Sequence, residues 1–191
     1  MAEHLLAIDD VKEDFNDILK WAIEFKRMWK SADEIATNFH PLADLAIGSI
    51  YEKPSTRTRV SFEVGINRLG GYPLTLLKND IQLGKSETVA DTANVLSRFL
   101  GAITYRCFAH SDVAELAANS SVPVINALSD KHHPCQAAAD LMTIIEQFPD
   151  NDGLKVAYIG DGNNVLHDLM LACAMLGLSL IHISEPTRPS R

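Results

Sequence analysis

Residues 55–59 are the segment with the most evident chemistry, because hydroxyl and guanidinium side chains are concentrated there. An apolar run over residues 45–51 precedes this segment and predicts a buried strand. Pro54 ends that strand, since proline has no N–H to donate to a sheet, and Ser55 is a good helix N-cap. The first N–H groups of a helix lack internal partners and carry the positive end of its dipole. The pattern therefore predicts an anion site, and the alternative is a capped helix with a solvated basic first turn.

Two further groups of polar residues follow predicted strands. Arg106 ends the apolar segment 102–106, where a side chain would point into the crevice at the carboxyl edge of a parallel sheet. Pro134 suits the first position of a helix, which places His133 at the cap and Gln136 in the first turn. An imidazole can donate to a carbonyl oxygen, and a glutamine amide can accept from an NH2 group. Taken singly, Arg106 would more often be a surface residue, and His133 a structural or surface residue.

Apolar periodicity predicts helices alternating with strands before residue 149. Residues 9–31 carry apolar side chains at helical spacing, with Asp9 and Asp10 as N-cap candidates. The other predicted helices cover residues 31–39, 55–69, 88–100, 111–118 and 133–148, and the strands cover residues 45–51, 72–77, 102–106 and 123–127. This alternation indicates an α/β fold with a parallel sheet flanked by helices.

The clearest break in the chain is the polar stretch 149–153, which divides it into two predicted domains. The first domain covers residues 1–149. Residues 150–177 begin a second α/β domain with one strand, a loop and a helix. Residues 178–191 are similar to the translated read-through of a transposon-type sequencing adapter, so we expect a non-native tail outside the fold and a truncated second domain. A natural second strand with a polar end is the alternative.

Composition restricts the classes of partner. The chain has 191 residues, 47% of them hydrophobic and 22% charged, which is typical of a globular protein. Its net charge of −8 argues against a general surface for nucleic acid or anionic membrane, so a basic cluster would serve a small anion. Cys107, Cys135 and Cys173 lack metal-binding spacing and predict reduced thiols in a cytoplasmic protein. We also expect no membrane segment and no signal peptide.

An ordered set of motifs, running from near the N-terminus to Gly177, carries a family resemblance. Residues 53–63 resemble the carbamoyl-phosphate signature of the aspartate/ornithine carbamoyltransferase family, and Lys53-Pro54 is similar to its ornithine branch. The His-Pro-Cys-Gln sequence at residues 133–136 and the turn at residues 160–164 also resemble that branch. The resemblance therefore implies a carbamoyl-phosphate-binding domain followed by the start of an amino-acid-binding domain.

The resemblance also implies roles for individual residues. The residues that would bind carbamoyl phosphate are Ser55, Thr56, Arg57, Thr58, Gln82, Arg106, His133 and Gln136, of which Arg57, Arg106 and His133 would be catalytic. In the family, the loop that corresponds to residues 80–87 reaches the site of a neighbouring subunit. Ser86 departs from the glycine that many ornithine enzymes carry. Asn164 would contact the amino-acid substrate, whereas His132 is expected to be a structural or surface residue. His167 could be a surface residue of its helix or have a functional role.

The implied reaction transfers a carbamoyl group from carbamoyl phosphate to the δ-amine of L-ornithine, giving L-citrulline and phosphate. It would belong to arginine biosynthesis or the urea cycle. Family members act as homotrimers, and the resemblance implies the substrates carbamoyl phosphate and L-ornithine as partners. It implies no cofactor and no metal. Because the chemistry is orientation and stabilisation of an oxyanion, binding residues carry most of the catalysis.

Several alternatives stay open. The acceptor could be putrescine, lysine or an acylated ornithine, whereas aspartate fits the quoted motifs less well. The sequence lacks the family's later Ser-Met-Gly and His-Cys-Leu-Pro segments, so we expect an inactive fragment that still binds carbamoyl phosphate. A non-catalytic phosphate-binding module would keep the same arginines. A dinucleotide-binding domain would depend on residues 160–164 alone, and these lack the third glycine of that fingerprint.

Overall fold

The computed structural model describes residues 3–31, 39–150 and 153–184 as alternating helices and strands. The helices are α1 (Phe15–Ser31), α2 (Thr56–Arg68), α3 (Val89–Leu96), α4 (His110–Asn119), α5 (Pro134–Gln147) and α6 (Asn164–Met175). The strands are β1 (Ala46–Tyr51), β2 (Tyr72–Leu77), β3 (Ala102–Arg106), β4 (Val124–Leu128), β5 (Lys155–Ile159) and β6 (Ser179–Ile183). The weaker helix predicted over residues 31–39 falls on residues 32–38, outside the described part.

Four strands form one parallel sheet in the order β2-β1-β3-β4. Strands β1 and β3 are central and almost fully buried, as expected for apolar runs in a sheet covered on both faces. Strand β2 lies at an edge, where Pro73 is tolerated because one side of the strand needs no partner. The predicted parallel sheet flanked by helices is therefore confirmed.

The sheet register brings three strand ends together at its carboxyl edge. Tyr51, the last residue of β1, lies opposite Arg106 of β3, and Arg106 lies opposite Leu128 of β4. The segments that follow these strands therefore start side by side. This edge is where open α/β sheets bind ligands.

The N-terminal segment differs from its prediction. Leu5 forms hydrogen bonds of 2.8 and 2.9 Å with the backbone of β4, so it covers the outer edge of that strand. A short 3-10 helix, Ile8–Val11, follows, and the Asp10 carboxylate accepts the N–H groups of Leu6 and Ala7. The helix predicted from residue 9 begins only at Phe15. Asp10 holds the chain in a turn there, which the apolar periodicity did not indicate.

The last elements form a second, smaller unit. Strands β5 and β6 pair in parallel, with α6 between them in the chain. Residues 179–183 were expected to lie outside the fold, and this expectation is wrong for them, because they form β6. Their aliphatic and β-branched side chains suit a strand, and Leu180 packs against the apolar core. The non-native origin of residues 178–191 stays a prediction.

Two apolar clusters hold these elements together. The sheet cluster lies between the four-stranded sheet and helices α3 and α4, and it includes Ile50, Ile103, Tyr105, Leu116 and Val124. The junction cluster joins α1, α5 and α6, and it includes Phe15, Leu19, Leu141, Leu169 and Cys173. The second unit therefore shares its core with helices of the first. No helix in the described part of the chain has the length and apolarity needed to cross a membrane.

Candidate active site

A cavity of about 470 Å³ opens at the carboxyl edge of the four-stranded sheet. It lies between the N-terminal turns of α2 and α5, two helix ends that both favour negative charge. Its lining includes two arginines and no carboxylate. Six of the residues predicted from the sequence line it, namely Ser55, Arg57, Thr58, Arg106, His133 and Gln136. The cavity is therefore suited to a small anion that also has hydrogen-bonding groups.

The corner between β1 and α2 has the predicted cap. The Ser55 hydroxyl accepts the backbone N–H of Thr58 at 3.3 Å, which fixes the first turn of α2. Arg57 is exposed and forms no ion pair or side-chain hydrogen bond with the described residues. Arg59, two positions on, binds Glu63 at 2.8 Å. Arg57 is thus the arginine of this turn whose charge is available to a ligand.

Arg106 is held at the end of β3, beside the same turn. Its Nε is buried and has no hydrogen-bond partner among the described residues. Burial without a carboxylate partner lowers the pKa of the guanidinium from its ordinary value. A half-buried cation of this kind is stabilised when an anion enters the cavity, so the surroundings of Arg106 favour a phosphate or a polarised carbonyl oxygen.

His133 occupies the N-cap of α5, but its side chain does not cap the helix. Burial and then the positive charge of Arg106 lower the pKa of the imidazole to about 4, against a smaller opposing effect of Asp168. The ring is therefore neutral at physiological pH. Its Nδ1 is buried without a partner among the described residues. A neutral imidazole here can donate one hydrogen bond to a ligand oxygen.

Gln136 is oriented by a residue that the sequence analysis missed. Its Nε2 donates to the Asp140 carboxylate at 2.9 Å, one helical turn further along α5. Burial raises the pKa of Asp140, and the bond from Gln136 lowers it. With the NH2 group held in this way, the amide oxygen of Gln136 is left to accept a hydrogen bond from a ligand. The (i, i+4) spacing of the two residues is the signal that could have identified the pair.

The structure does not bring every predicted residue into this cavity. Thr56 lines an adjacent cavity of about 490 Å³ with Lys53. Gln82 lines a separate cavity of about 200 Å³, and its Oε1 accepts the Ser86 hydroxyl at 3.2 Å. Asn164 donates its Nδ2 to the carbonyl oxygen of Ser129 at 2.6 Å. The predicted ligand contacts of Gln82 and Asn164 therefore stay predictions.

Cys135 also lines the cavity and is half-buried. Burial raises the pKa of its thiol to about 11, so the thiol stays protonated at neutral pH and is a poor nucleophile. Within the described ranges, no group of three or more His, Cys, Asp or Glu side chains is arranged to hold a metal ion.

The largest omission of the sequence analysis is Asp168, on the second turn of α6. Its side chain is fully buried, and it accepts hydrogen bonds from the backbone N–H groups of Ile8 and His133. It also contacts Nδ1 of His132 at 3.1 Å, so His132 has a structural contact. No local pattern indicates this carboxylate, since its partners are up to 160 positions away.

Fold and cavity together define an α/β domain with a cavity suited to an anion at the carboxyl edge of its parallel sheet. A family model described as the carbamoyl-P binding domain of aspartate/ornithine carbamoyltransferase matches residues 3–146. The chain therefore belongs to the aspartate/ornithine carbamoyltransferase family, whose members are carbamoyltransferases.

Known relatives agree with this family. The chain is 51% identical over 183 residues to an ornithine carbamoyltransferase of Bacillus subtilis, covering 95% of this chain and 54% of that protein. It is 49% identical to the one of Anoxybacillus flavithermus, covering 92% and 55%. The solved ornithine carbamoyltransferase of Pyrococcus furiosus matches with a TM-score of 0.89 and 47% identity, covering 96% of this chain and 58% of that one. The chain thus spans about half the length of the curated relatives that it matches.

Proposed function

We propose that this chain is the carbamoyl-phosphate-binding part of an ornithine carbamoyltransferase. The reaction would transfer the carbamoyl group to the δ-amine of L-ornithine and release L-citrulline and phosphate. The observation that carries the proposal is the cavity at the carboxyl edge of the sheet. There, Arg57 and Arg106 lie beside His133 and Gln136, between two helix N-termini. The names of the relatives support ornithine as the acceptor.

The cavity residues suit the two halves of carbamoyl phosphate. The phosphate would lie on the first turn of α2, against the Ser55 and Thr58 hydroxyls and the Arg57 guanidinium, with Thr56 close by. The carbamoyl oxygen would accept hydrogen bonds from Arg106 and from the neutral imidazole of His133. The carbamoyl NH2 group would donate to the amide oxygen of Gln136, whose own NH2 group is held by Asp140.

These contacts would also support the chemical step. The attacking amine forms a C–N bond to the carbamoyl carbon, and the C–O bond to the phosphate breaks with its electron pair going to the phosphate. The departing phosphate takes up the proton that the amine loses. Negative charge develops on the carbamoyl oxygen, where Arg106 and His133 would stabilise it. Arg57 would hold the departing phosphate. The desolvation that lowers the pKa of Arg106 also strengthens its attraction for that charge.

The assembly and setting belong to the same proposal. We infer a cytoplasmic homotrimer that acts in arginine metabolism, with Gln82 reaching the site of a neighbouring subunit. The position of Gln82 supports this assembly, because within one chain it lines a cavity separate from that of Arg106. Sedimentation of the protein across a concentration series tests it, and a monomer at all concentrations would contradict it.

For this chain alone we propose binding without turnover. Asn164 is the one residue predicted to contact the amino-acid substrate, and its side-chain NH2 group is engaged with the carbonyl oxygen of Ser129. A colorimetric assay of the chain with carbamoyl phosphate and L-ornithine should therefore detect no citrulline. Citrulline formed in proportion to the protein added would contradict this part of the proposal.

Calorimetric titration tests the binding site directly. Phosphonoacetamide is a stable analogue of carbamoyl phosphate, and methylphosphonate lacks the carbamoyl-like half. Phosphonoacetamide should bind more tightly, because His133 and Gln136 have partners only on its amide. Absence of binding by both ligands, or equal affinity for them, would contradict the proposal.

A further inference from the structure

The segment that connects β4 to α5 carries His133 at its end, and the first two turns of α6 hold this segment. Three side chains of α6 bind it, and all but one of their contacts are to its backbone. The contacts are Asn164 Nδ2 to the Ser129 carbonyl at 2.6 Å, His167 Nδ1 to the Lys131 carbonyl at 2.9 Å, and Asp168 to Nδ1 of His132 at 3.1 Å and to the His133 N–H. A helix of the second unit therefore fixes a loop of the candidate active site.

Asp168 is the central member of this set. A fully buried carboxylate is costly unless hydrogen bonds compensate for its lost hydration. Here the two carboxylate oxygens accept from two backbone N–H groups and contact one imidazole, so both are engaged. The neighbouring α6 residues Leu166, Leu169 and Ala172 are buried and apolar, and they offer the carboxylate no alternative partner. The position of Asp168 is thus closely determined by its bonds.

We propose that Asp168 is a positioning residue that fixes the backbone of His133 and thereby aims its imidazole at the carbamoyl group. This inference depends on the proposed function for the identity of the ligand. His133 has a non-helical backbone conformation, with φ −142° and ψ 66°, and its side chain forms no cap bond that would hold it. Its carbonyl oxygen accepts the N–H groups of Gln136 and Ala137, and the bond from its N–H to Asp168 holds the other side of the same residue.

A purely structural role would have a different signature. Asp168 also binds Ile8, so its removal could loosen the N-terminal segment and the whole fold. Such loosening would weaken both halves of the ligand site alike. A positioning role affects mainly the carbamoyl half, because Ser55 and Arg57 hold the phosphate half from α2, which Asp168 does not contact.

The test compares two ligands on two matched variants of the full chain. In Asp168→Ala, phosphonoacetamide should bind about tenfold more weakly, the scale of one lost hydrogen bond to a charged group. Methylphosphonate should change by less than about twofold, since the phosphate contacts are intact. Asp10→Ala is the control, because Asp10 also accepts two backbone N–H groups beside Ile8 but does not touch His133. It should leave both affinities as in the parent chain.

Equal weakening of both ligands, or an unchanged affinity for phosphonoacetamide, would overturn the proposal. If Asp168→Ala does not fold, Asp168→Asn keeps the size of the side chain and loses one acceptor, and the same selective loss is expected. If the parent chain binds neither ligand, the proposed function fails, and scalar couplings of His133 test the positioning separately. Couplings that report one His133 rotamer in the parent chain and an average of rotamers in the Asp168 variant would support the positioning role. Identical couplings in the two proteins would overturn it.

Discussion

The two parallel sheets of this protein differ in how completely they are covered. In β1, five of six residues are buried, whereas four of the five residues in β6 are exposed. The exposed side chains of the smaller sheet are largely aliphatic, with Ile159 at 74%, Ile181 at 55% and Ile183 at 48% exposure. Parallel strands are ordinarily buried on both faces. The second unit therefore has cover on one face only, and its core depends on α1 and α5 of the first unit.

The two units also differ in what they contribute to the candidate active site. Among the residues that the structure describes, every charged group lining the candidate active site comes from the four-stranded sheet and its helices, and only Val165 of the second unit lines the cavity. The second unit instead supplies Asp168, which holds the segment before α5. The difference indicates that the binding site is built by the unit with the complete core, and that the other unit adjusts it.

The largest expected effect is on stability, and it distinguishes the two units. Leu116 of α4 is fully buried in the sheet cluster, whereas Leu180 of β6 is only partly buried at the edge of the junction cluster. Leu116→Ala should lower the free energy of unfolding by about 3 kcal/mol, and Leu180→Ala by about 1 kcal/mol. Denaturation by urea measures both. Equal losses would show that the two cores contribute alike and would contradict the comparison.

A smaller effect is expected on ligand binding in the first unit. Arg106→Ala removes a half-buried cation from the cavity and should weaken phosphonoacetamide binding by about 2 kcal/mol. Arg59→Ala is the matched control, because Arg59 lies outside the cavity and is paired with Glu63. It should change the binding free energy by less than about 0.5 kcal/mol. Calorimetry measures both, and a comparable loss in the control would refute the assignment of Arg106.

The smallest expected effect is the pH dependence of stability that His133 contributes. His133 lies where the two units are in contact. Its pKa of about 4 in the folded chain lies below the ordinary value of 6.5, so the unfolded chain binds more protons between these pH values. Stability should therefore fall as pH falls from 6.5 to 4. Allowing for partial exposure of the imidazole, the loss between pH 6 and 5 is about 0.5 to 1 kcal/mol. In His133→Gln, the free energy of unfolding should no longer fall in this way with pH. Urea denaturation at pH 6 and pH 5 measures it, and an equal fall in the parent chain and the variant would contradict the prediction.

Local sequence patterns predicted most of the fold, because their physical causes are local. The apolar runs gave β1 to β4 within one or two residues, and Ser55 and Pro134 start helices where expected. Strand β6 was assigned outside the fold because residues 178–191 resemble an adapter read-through, although its aliphatic side chains suit a strand. The turn held by Asp10 shows the same limit, because one carboxylate redirected an otherwise helical pattern.

The candidate active site was predictable to the extent that motifs specify it. Six predicted residues share one cavity, and their types already indicated an anion with a carbonyl group. The supporting carboxylates Asp140 and Asp168 were not predicted. Asp168 has partners in two distant parts of the chain, at Ile8 and at His132 and His133, and such contacts appear only after folding. Gln82 lines another cavity within one chain, so its predicted role needs evidence from the assembled protein.

The central claim is that the first unit forms the carbamoyl-phosphate site and that the second unit adds no acceptor affinity in this chain. Calorimetric titration with phosphonoacetyl-ornithine, compared with phosphonoacetamide, tests it most directly. The two ligands should bind with the same affinity, because the ornithine half meets no formed pocket. Clearly tighter binding of phosphonoacetyl-ornithine would contradict the claim, and it would show that Asn164 and its neighbours already form part of an acceptor site.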